Sequence, residues 1–591
     1  MNTTGIDALP DFLSSFENLT EHFTAHFDAL DSNARGDRFL DLTQRIVPFT
    51  DAGAAFPPPD PNPKKSHDKG VDLLTAEGPD GEKLCVQSKF KLTSKDEFDT
   101  IVSKFKDYES GICLLRPLFP ESDQTPQKPT YMIVTSSKLA GIIAAYEKSE
   151  LASKHFYQSL RTDNRLAIVD GPRILLTLQT LYRKAFILPS TLELKSVKNW
   201  LNIGNVYIGV LKGRDIASLY DSHGDALFFE NIRDFLGLTS GKKETEGRET
   251  VNSKIMDTIR TEAPRMLERN NGITFRAESV SVLSDDNLRL QGAAIVNGCQ
   301  TTMCLWHSRE SMENACHVVV KVVVTNDAWD VAKAANYQNA VAQIDLDLAR
   351  YLRPQLIQRA ATDQGYGTAS TKEESIIGVL DTIHAKKVEY EEMKCLYLGL
   401  FSRKPNNLFA DNYAELRTDV LEGLYKHGSA DEERIFATVF LIVTKSHDSL
   451  DICSQAFDGH EYERFFKRFH NPEKPRYRAY LAILALSGAL EDNLAKRSTD
   501  KDAEVARMEE FLSRARSLLE NEQTRFNRCY LNAYEILAST ALQAWKDGGN
   551  ESHVAQEMHK KVSQSPFDTL YLQLRMRIDA DKRTHDALID S

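Results

Sequence analysis

A chain of 591 residues, 41% hydrophobic and 27% charged, has a globular composition and the length for roughly three to four domains. Its net charge of −12 excludes a protein that coats nucleic acid indiscriminately, since that mode works by neutralising phosphates. No apolar run reaches bilayer length and no leader pattern opens the chain, so no membrane partner and a cytoplasmic location are expected.

Eight cysteines without a C-x-x-C pair encode neither a zinc knuckle nor a disulfide framework, and reduced, mostly buried thiols are expected. Up to about residue 50 the pattern is helical. Phe39, Leu42 and Ile46 follow helical spacing, so residues 36–47 can lay an apolar stripe on a sheet. Phe56-Pro57-Pro58-Pro59-Asp60-Pro61-Asn62-Pro63 is a stiff extended connection that cannot be helix or central strand.

Residues 69–91 read as a β-hairpin. Gly70-Val71-Asp72 leads into Leu73-Leu74, Pro79-Asp80-Gly81 signals the turn, and Cys85-Val86-Gln87-Ser88-Lys89 re-enters the interior. Alternation on the strand places Gln87 and Lys89 on one face and Val86, Ser88 and Phe90 on the other. An acid, an amide and a lysine therefore converge, a set suited to cutting a phosphodiester. Asp72 can hold a hard divalent cation, the Gln87 carbonyl offers a second oxygen, and Lys89 can stabilise charge or help deprotonate water. The bland alternative is an ordinary hairpin with an edge acid and a solvated lysine. Lys64, Lys65, Lys69, Lys83, Lys89, Lys91, Lys95, Lys104 and Lys106 form either a phosphate-facing patch or a solvated face.

Residues 95–108 follow as a helix with Phe98, Ile101, Val102 and Phe105 inward. After a turn-rich loop at 120–129, Tyr131-Met132-Ile133-Val134 is a buried strand ending in Thr135, Ser136 and Ser137. These hydroxyls can donate to a phosphate or cap the next helix. Leu166-Ala167-Ile168-Val169-Asp170-Gly171 repeats the strand-then-turn form.

Residues 30–185 resemble the Mrr-like branch of the restriction-endonuclease, or PD-(D/E)XK, superfamily, in which glutamine often replaces the glutamate of the acid-x-lysine element. The resemblance implies Mg2+ or Mn2+ held by Asp72 and Gln87, assistance by Lys89, and nucleic acid as partner, DNA before RNA, met by Lys69, Lys91 and Ser136. Similar families begin with a Gly-x-x-Phe-Glu helix whose glutamate joins the metal. This chain has Gly36-Asp37-Arg38-Phe39-Leu40-Asp41, so leucine stands in the acid's place. Asp41, one residue late, is carried as a third ligand beside the alternative of a solvated Asp41 near Arg45.

A new unit opens near residue 190, with a strand at Val206-Tyr207-Ile208-Gly209-Val210-Leu211 and Asp215 as a helix cap. Five separated blocks follow: Leu227-Phe228-Phe229-Glu230-Asn231, Val251-Asn252-Ser253-Lys254-Ile255, Asn270-Asn271-Gly272-Ile273-Thr274, Ile295-Val296-Asn297-Gly298-Cys299-Gln300-Thr301-Thr302, and Ala335-Asn336-Tyr337-Gln338-Asn339. In order and spacing they resemble the AIPR family, named for abortive infection phage resistance, over about 200–430. Asn271-Gly272 and Asn297-Gly298 are dipeptides that accept positive φ, and tight turns alone account for them. The second also joins a strand to a helix. Asn297, Gly298, Gln300, Thr301 and Thr302 can therefore seat an anion or nucleotide at a positive helix end, although no phosphate-loop signature is present. Asn336, Gln338 and Asn339 either join that site or tie their helix to the preceding strand.

Beyond 430 the chain is helical, with apolar stripes through Val505, Met508, Leu512 and Leu519 and through Tyr530, Tyr534 and Leu537. Arg464-Phe465-Phe466-Lys467-Arg468-Phe469 could stack bases, or could be an ordinary helix with its rings inward. The expected architecture is multidomain α/β: a restriction-endonuclease-like α/β domain (1–187), an α+β AIPR-type domain (188–430) and a helical C-terminal region (431–591). The expected function is an antiphage nuclease that hydrolyses phosphodiesters with Mg2+. Its AIPR module would sense a nucleotide or phage-derived trigger, and the chain would assemble as a homo-oligomer. The alternative is a non-catalytic sensor of nucleic acid or phage protein, favoured by the leucine at position 40.

Overall fold

Leu84, Cys85 and Val86 alternate between two apolar cores, and the start of the chain is built on that alternation. In the computed structural model the described residues are 9–28, 30–61, 71–77, 82–115, 128–231, 251–325, 331, 348, 351–352, 354–368, 376–409, 416–425, 430–463, 475–546 and 567–589. They belong to two units, one within Thr4–Ala332 and Ala361–Lys387, the other chiefly within Val388–Ser591. The chain is mixed α/β with a mostly helical C-terminal part.

The first unit opens with α1 (Phe16–Phe27) and α2 (Ser32–Ile46). Asp31 starts α2 by accepting the Asn33 and Ala34 N–H groups, satisfying two of the donors that every helix leaves open at its first turn. Next comes a five-stranded sheet of β1 (Asp60–Pro61), β2 (Leu73–Leu74), β3 (Leu84–Lys89), β4 (Thr130–Thr135) and β5 (Leu166–Val169), in that order. The first three pair antiparallel, and β3, β4 and β5 run parallel. The proline-rich connection therefore contributes a strand, but only at the sheet edge, where a missing N–H costs no ladder bond. The hairpin expected at 69–91 is the β2–β3 pair.

Between parallel strands lie α3 (Lys95–Leu115), which outruns its expected end at 108, and α4 (Ala140–Glu147) with α5 (Lys154–Thr162). Leu84 and Val86 enter a core with Phe39, Leu42 and Ile46 of α2 and Leu178 of α6 (Gly171–Phe186). Cys85 enters the opposite core with Phe98, Val102 and Phe105 of α3. Each fully buried phenylalanine contributes roughly 1.5–3 kcal/mol relative to exposure. The result is a sheet between two helical layers, with Lys89 at the end of β3 exposed.

The same unit continues through β6 (Thr191–Lys195), β7 (Leu201–Ile203), β8 (Val206–Lys212) and α7 (Gly213–His223). Asp215 does not cap α7. It sits in the first turn, where a negative charge still complements the helix dipole. After α8 (Val251–Thr261) come β9 (Ile273–Ala277), β10 (Ser279–Ser284), β11 (Asn287–Gln291), β12 (Ala294–Asn297), α9 (Cys299–His307) and β13 (His317–Val324). Two sheets form, β12-β9-β13-β8-β7 and β10-β11-β6, and they share one core through Leu192, Leu290, Phe275 and Val320. α10 (Ile376–Thr382) then returns to pack into the first core beside α2 and α6.

The second unit is helical: α11 (Tyr390–Phe401), α12 (Ala430–Ala456), α13 (Pro475–Leu490), α14 (Lys501–Asn521), α15 (Gln523–Lys546) and α16 (Phe567–Ile589). Almost every residue of α13 is buried, the pattern of a helix enclosed on all sides. None of the cysteines with described side chains forms a disulfide, and all are buried. Among the described residues no helix is long and apolar enough to cross a membrane.

Candidate functional site

Asp72 stands one residue before β2 yet is already in register, because its N–H donates to the Val86 carbonyl at 2.9 Å. Its Oδ2 accepts the Ser88 N–H at 2.8 Å and Nε2 of Gln87 at 2.5 Å. Gln87 is only 9% exposed, and its Oε1 is buried without a hydrogen-bond partner. Leaving such an acceptor unmet costs about 1–3 kcal/mol, so a group that takes oxygen ligands has something to gain here. Lys89 ends β3 on the Gln87 face and is exposed. Cys85, deeper on that face, is no nucleophile, since burial pushes its thiol up to about 12.

Ser88 faces the other layer, where its hydroxyl meets Oγ1 of Thr43 at 2.8 Å. Thr43 spends its single hydrogen on the Phe39 carbonyl, so Ser88 is the donor between the two hydroxyls. Leu40 packs against the apolar core, and Asp41 accepts from Arg45 at 2.8 Å, partly in solvent. The structure thus joins Gln87 to Asp72, leaves Lys89 exposed on the same strand face as Gln87, and ties Asp41 to Arg45. Among the described residues no group of three or more His, Cys, Asp or Glu side chains has metal-holding geometry.

Sequence reasoning missed Glu97, at the start of α3. It accepts the N–H and hydroxyl of Thr93, and these bonds, with a smaller contribution from Lys89, hold its carboxyl below the usual range. The Ser94-x-x-Glu97 spacing at the helix start, in which Ser94 accepts the Glu97 N–H, was the available signal.

The remaining expected contacts are dispersed. Lys91 pairs with Asp28 at 2.8 Å and lies over the Phe90 ring. Ser136 is buried and donates its hydroxyl to the Phe90 carbonyl, which leaves it no hydrogen for a phosphate. Ser137 accepts the Leu92 N–H, and Asp170 rather than a hydroxyl accepts from Leu139 at the start of the next helix. Lys69 lies outside the described residues.

The second candidate is the junction of β12 and α9. Gly298 has φ 101°, and a Cβ there would sit 2.9 Å from the Ile273 Cα, so the position demands glycine. Gly272, with φ 80°, packs against it. Asn270 binds both turns, accepting the Gly272 N–H at 2.8 Å and donating to Thr301 at 3.0 Å, a role the sequence did not disclose. Thr302 donates to the Gly298 carbonyl. Asn297, Gly298, Gln300, Thr301 and Thr302 are therefore neighbours, but both threonine hydroxyls serve the turn itself. Oε1 of half-buried Gln300 has no partner. Asn336, Gln338 and Asn339 lie outside the described residues, as does 464–474.

The AIPR protein family model matches residues 228–540, more than half of the chain. The chain belongs to the AIPR family. That places it in antiphage, abortive-infection defence. The AIPR match begins downstream of the sheet that carries Gln87 and Lys89 but within the same unit, and it includes α10 as well as most of the helical unit. No curated protein and no solved structure matches the chain.

Proposed function

We propose that this AIPR-family protein is a metal-dependent nuclease whose N-terminal domain, of the Mrr-like PD-(D/E)XK kind, hydrolyses phosphodiesters in nucleic acid, DNA before RNA. The observation that carries the reading is the Gln87 side chain, bound through Nε2 to the Asp72 carboxylate and with its own Oε1 buried and partnerless, with Lys89 on the same strand face. A hard cation such as Mg2+ or Mn2+ fits this pair once the Gln87 amide turns its oxygen toward Asp72, because such ions take one or two protein oxygens and leave the rest to water and substrate phosphate. The chemistry a cation supplies in such a site is charge neutralisation at phosphate and a more acidic water. Asp72 and Gln87 would hold it. The Ser88 N–H keeps the Asp72 carboxylate in place, and Lys89 meets the negative charge on a phosphate oxygen. Exposed Lys95, Lys104 and Lys106 on α3 give the polynucleotide backbone further cations.

The test is cleavage of double-stranded DNA, single-stranded DNA and RNA with and without Mg2+. Asp72→Ala and Lys89→Ala should each lower cleavage by roughly 100-fold or more. An Asp72→Ala protein as active as the parent would overturn the assignment.

One observation favours a second reading, a non-catalytic sensor of nucleic acid or phage protein: α2 supplies Leu40 and an Arg45-bound Asp41 where a third acid would stand. Undiminished nucleic-acid binding with no cleavage in any metal would establish it.

A further inference from the structure

The described residues 361–368 and 376–387 lie inside the AIPR match and belong to the same unit as the start of the chain. Ile376, Ile377, Val379, Leu380 and Ile383 are buried in the same core as Phe39, Leu42 and Val86. Polar bonds join the layers as well. Arg38 of α2 donates to the Thr382 carbonyl at 3.2 Å, and Nε2 of His22 donates to the Ile383 carbonyl at 3.0 Å. His26 accepts the Ala385 N–H at 3.2 Å, and the Tyr182 hydroxyl donates to Asp363. The α2 helix is thus pressed between the sheet and a segment of the AIPR region.

From α2 the path to the candidate site is short. Thr43 lies five residues, about one and a half turns, beyond Arg38, and its oxygen takes the Ser88 hydroxyl hydrogen. The Ser88 N–H in turn holds Asp72 at 2.8 Å. A shift of α2 relative to β3 therefore reaches Asp72 through two hydrogen bonds, with no ligand needed in between.

We propose that the described segments 361–368 and 376–387 are the element through which the AIPR region regulates the N-terminal site, with Arg38 and Thr43 as positioning residues that set Asp72 through Ser88. This rests on the phosphodiesterase reading of Asp72 and Gln87. Partners behind a ligand residue commonly govern its affinity by 10–100-fold when removed, which sets the scale of the expected effect.

The test uses the full chain and two readouts, Mn2+ titration by calorimetry and kcat with KM for nucleic-acid cleavage. Thr43→Val deletes the acceptor at constant shape and should weaken Mn2+ binding and lower kcat by about 10-fold with KM little changed, while Thr43→Ser should restore both. Arg38→Gln, which loosens the Thr382 attachment, should weaken Mn2+ binding in the same direction. The double variant should lose less than the product of the two single losses, because both act on one path. Hydrogen exchange at β3 amides keeps the test decisive if Thr43→Val lowers stability. Loss of protection confined to Ser88 and its neighbours supports the path, and loss throughout the domain overturns it. If Asp72→Ala abolishes cleavage while Thr43→Val and Arg38→Gln keep parental Mn2+ affinity and kcat, the regulation is wrong and the nuclease stands. If Asp72→Ala changes nothing, the nuclease reading itself has failed.

Discussion

Gln87 turns its amide nitrogen, not its oxygen, toward Asp72, donating from Nε2 to Oδ2 at 2.5 Å and leaving Oε1 buried and unmet. The neutral amide lets the two side chains touch without a cation between them.

That relationship sets the first expectation. Gln87→Glu removes the donor and sets two carboxylates together, so the metal-free protein should lose about 1–3 kcal/mol of stability. Added Mg2+ should raise its melting temperature more than it raises the parent's, since a ligand at concentration c stabilises by RT ln(1 + c/Kd) and the tighter site gains more at equal concentration. Thermal melts across a Mg2+ series decide it. Equal shifts in the two proteins would show that Gln87 faces no cation.

Lys89 offers a cleaner separation of fold from chemistry. It is exposed at the end of β3, so Lys89→Ala should leave stability within about 0.5 kcal/mol. Cleavage should nevertheless fall by roughly 100-fold if the ammonium meets phosphate charge. Circular dichroism melts run beside the nuclease assay give both numbers on one preparation.

In the helical unit, Glu392 of α11 accepts from Arg478 of α13 at 2.9 Å and bonds Nε2 of His447 on α12 at 3.0 Å. Burial pushes its carboxyl up, but the charges and hydrogen bonds of His447 and Arg478 outweigh that and hold it down to about 2. Because the folded value lies below the ordinary 4.5, the stabilisation is complete above 4.5 and is lost as pH falls toward 2. Glu392→Gln leaves the buried Arg478 charge without its carboxylate and should cost about 3–5 kcal/mol at neutral pH. Urea melts of parent and variant should converge near pH 2, and a constant gap down to that pH would contradict the assignment.

Asp381 has the opposite sign. It accepts the Thr368 N–H at 2.7 Å and the Thr368 hydroxyl at 3.1 Å, yet burial raises its carboxyl to about 6. Its contribution is complete below 3.8 and is lost as pH rises through 6. Asp381→Asn keeps an acceptor oxygen and cannot ionise, so relative to the parent it should gain, on the order of 2–3 kcal/mol, between pH 4 and pH 8. Thermal melts of both proteins across that interval measure the gain. A parent whose melting temperature does not fall relative to the variant would refute it.

Gly298→Ala probes the second candidate. With φ at 101° and a Cβ driven against Ile273, the variant should lose at least 1–3 kcal/mol whether or not the turn binds anything. Chemical denaturation of the variant reads this directly.

Much of the architecture was written locally. Alternation along Cys85 to Lys89 placed Gln87 and Lys89 on one face, Asn-Gly dipeptides marked the turns at 272 and 298, and helical spacing announced α2, α14 and α15. These are rules of period and backbone angle that act within a few residues, so a linear reading reaches them. The sequence also carried five AIPR blocks in order. What it could not carry was closure over distance. Asn270 serving Thr301, Glu392 meeting His447 and Arg478, and α10 returning to the core of α1 and α2 join residues 31 to more than 300 positions apart. Such partners share no periodicity along the chain. Only burial in a common core, where each polar group must find a mate or pay for its absence, selects them.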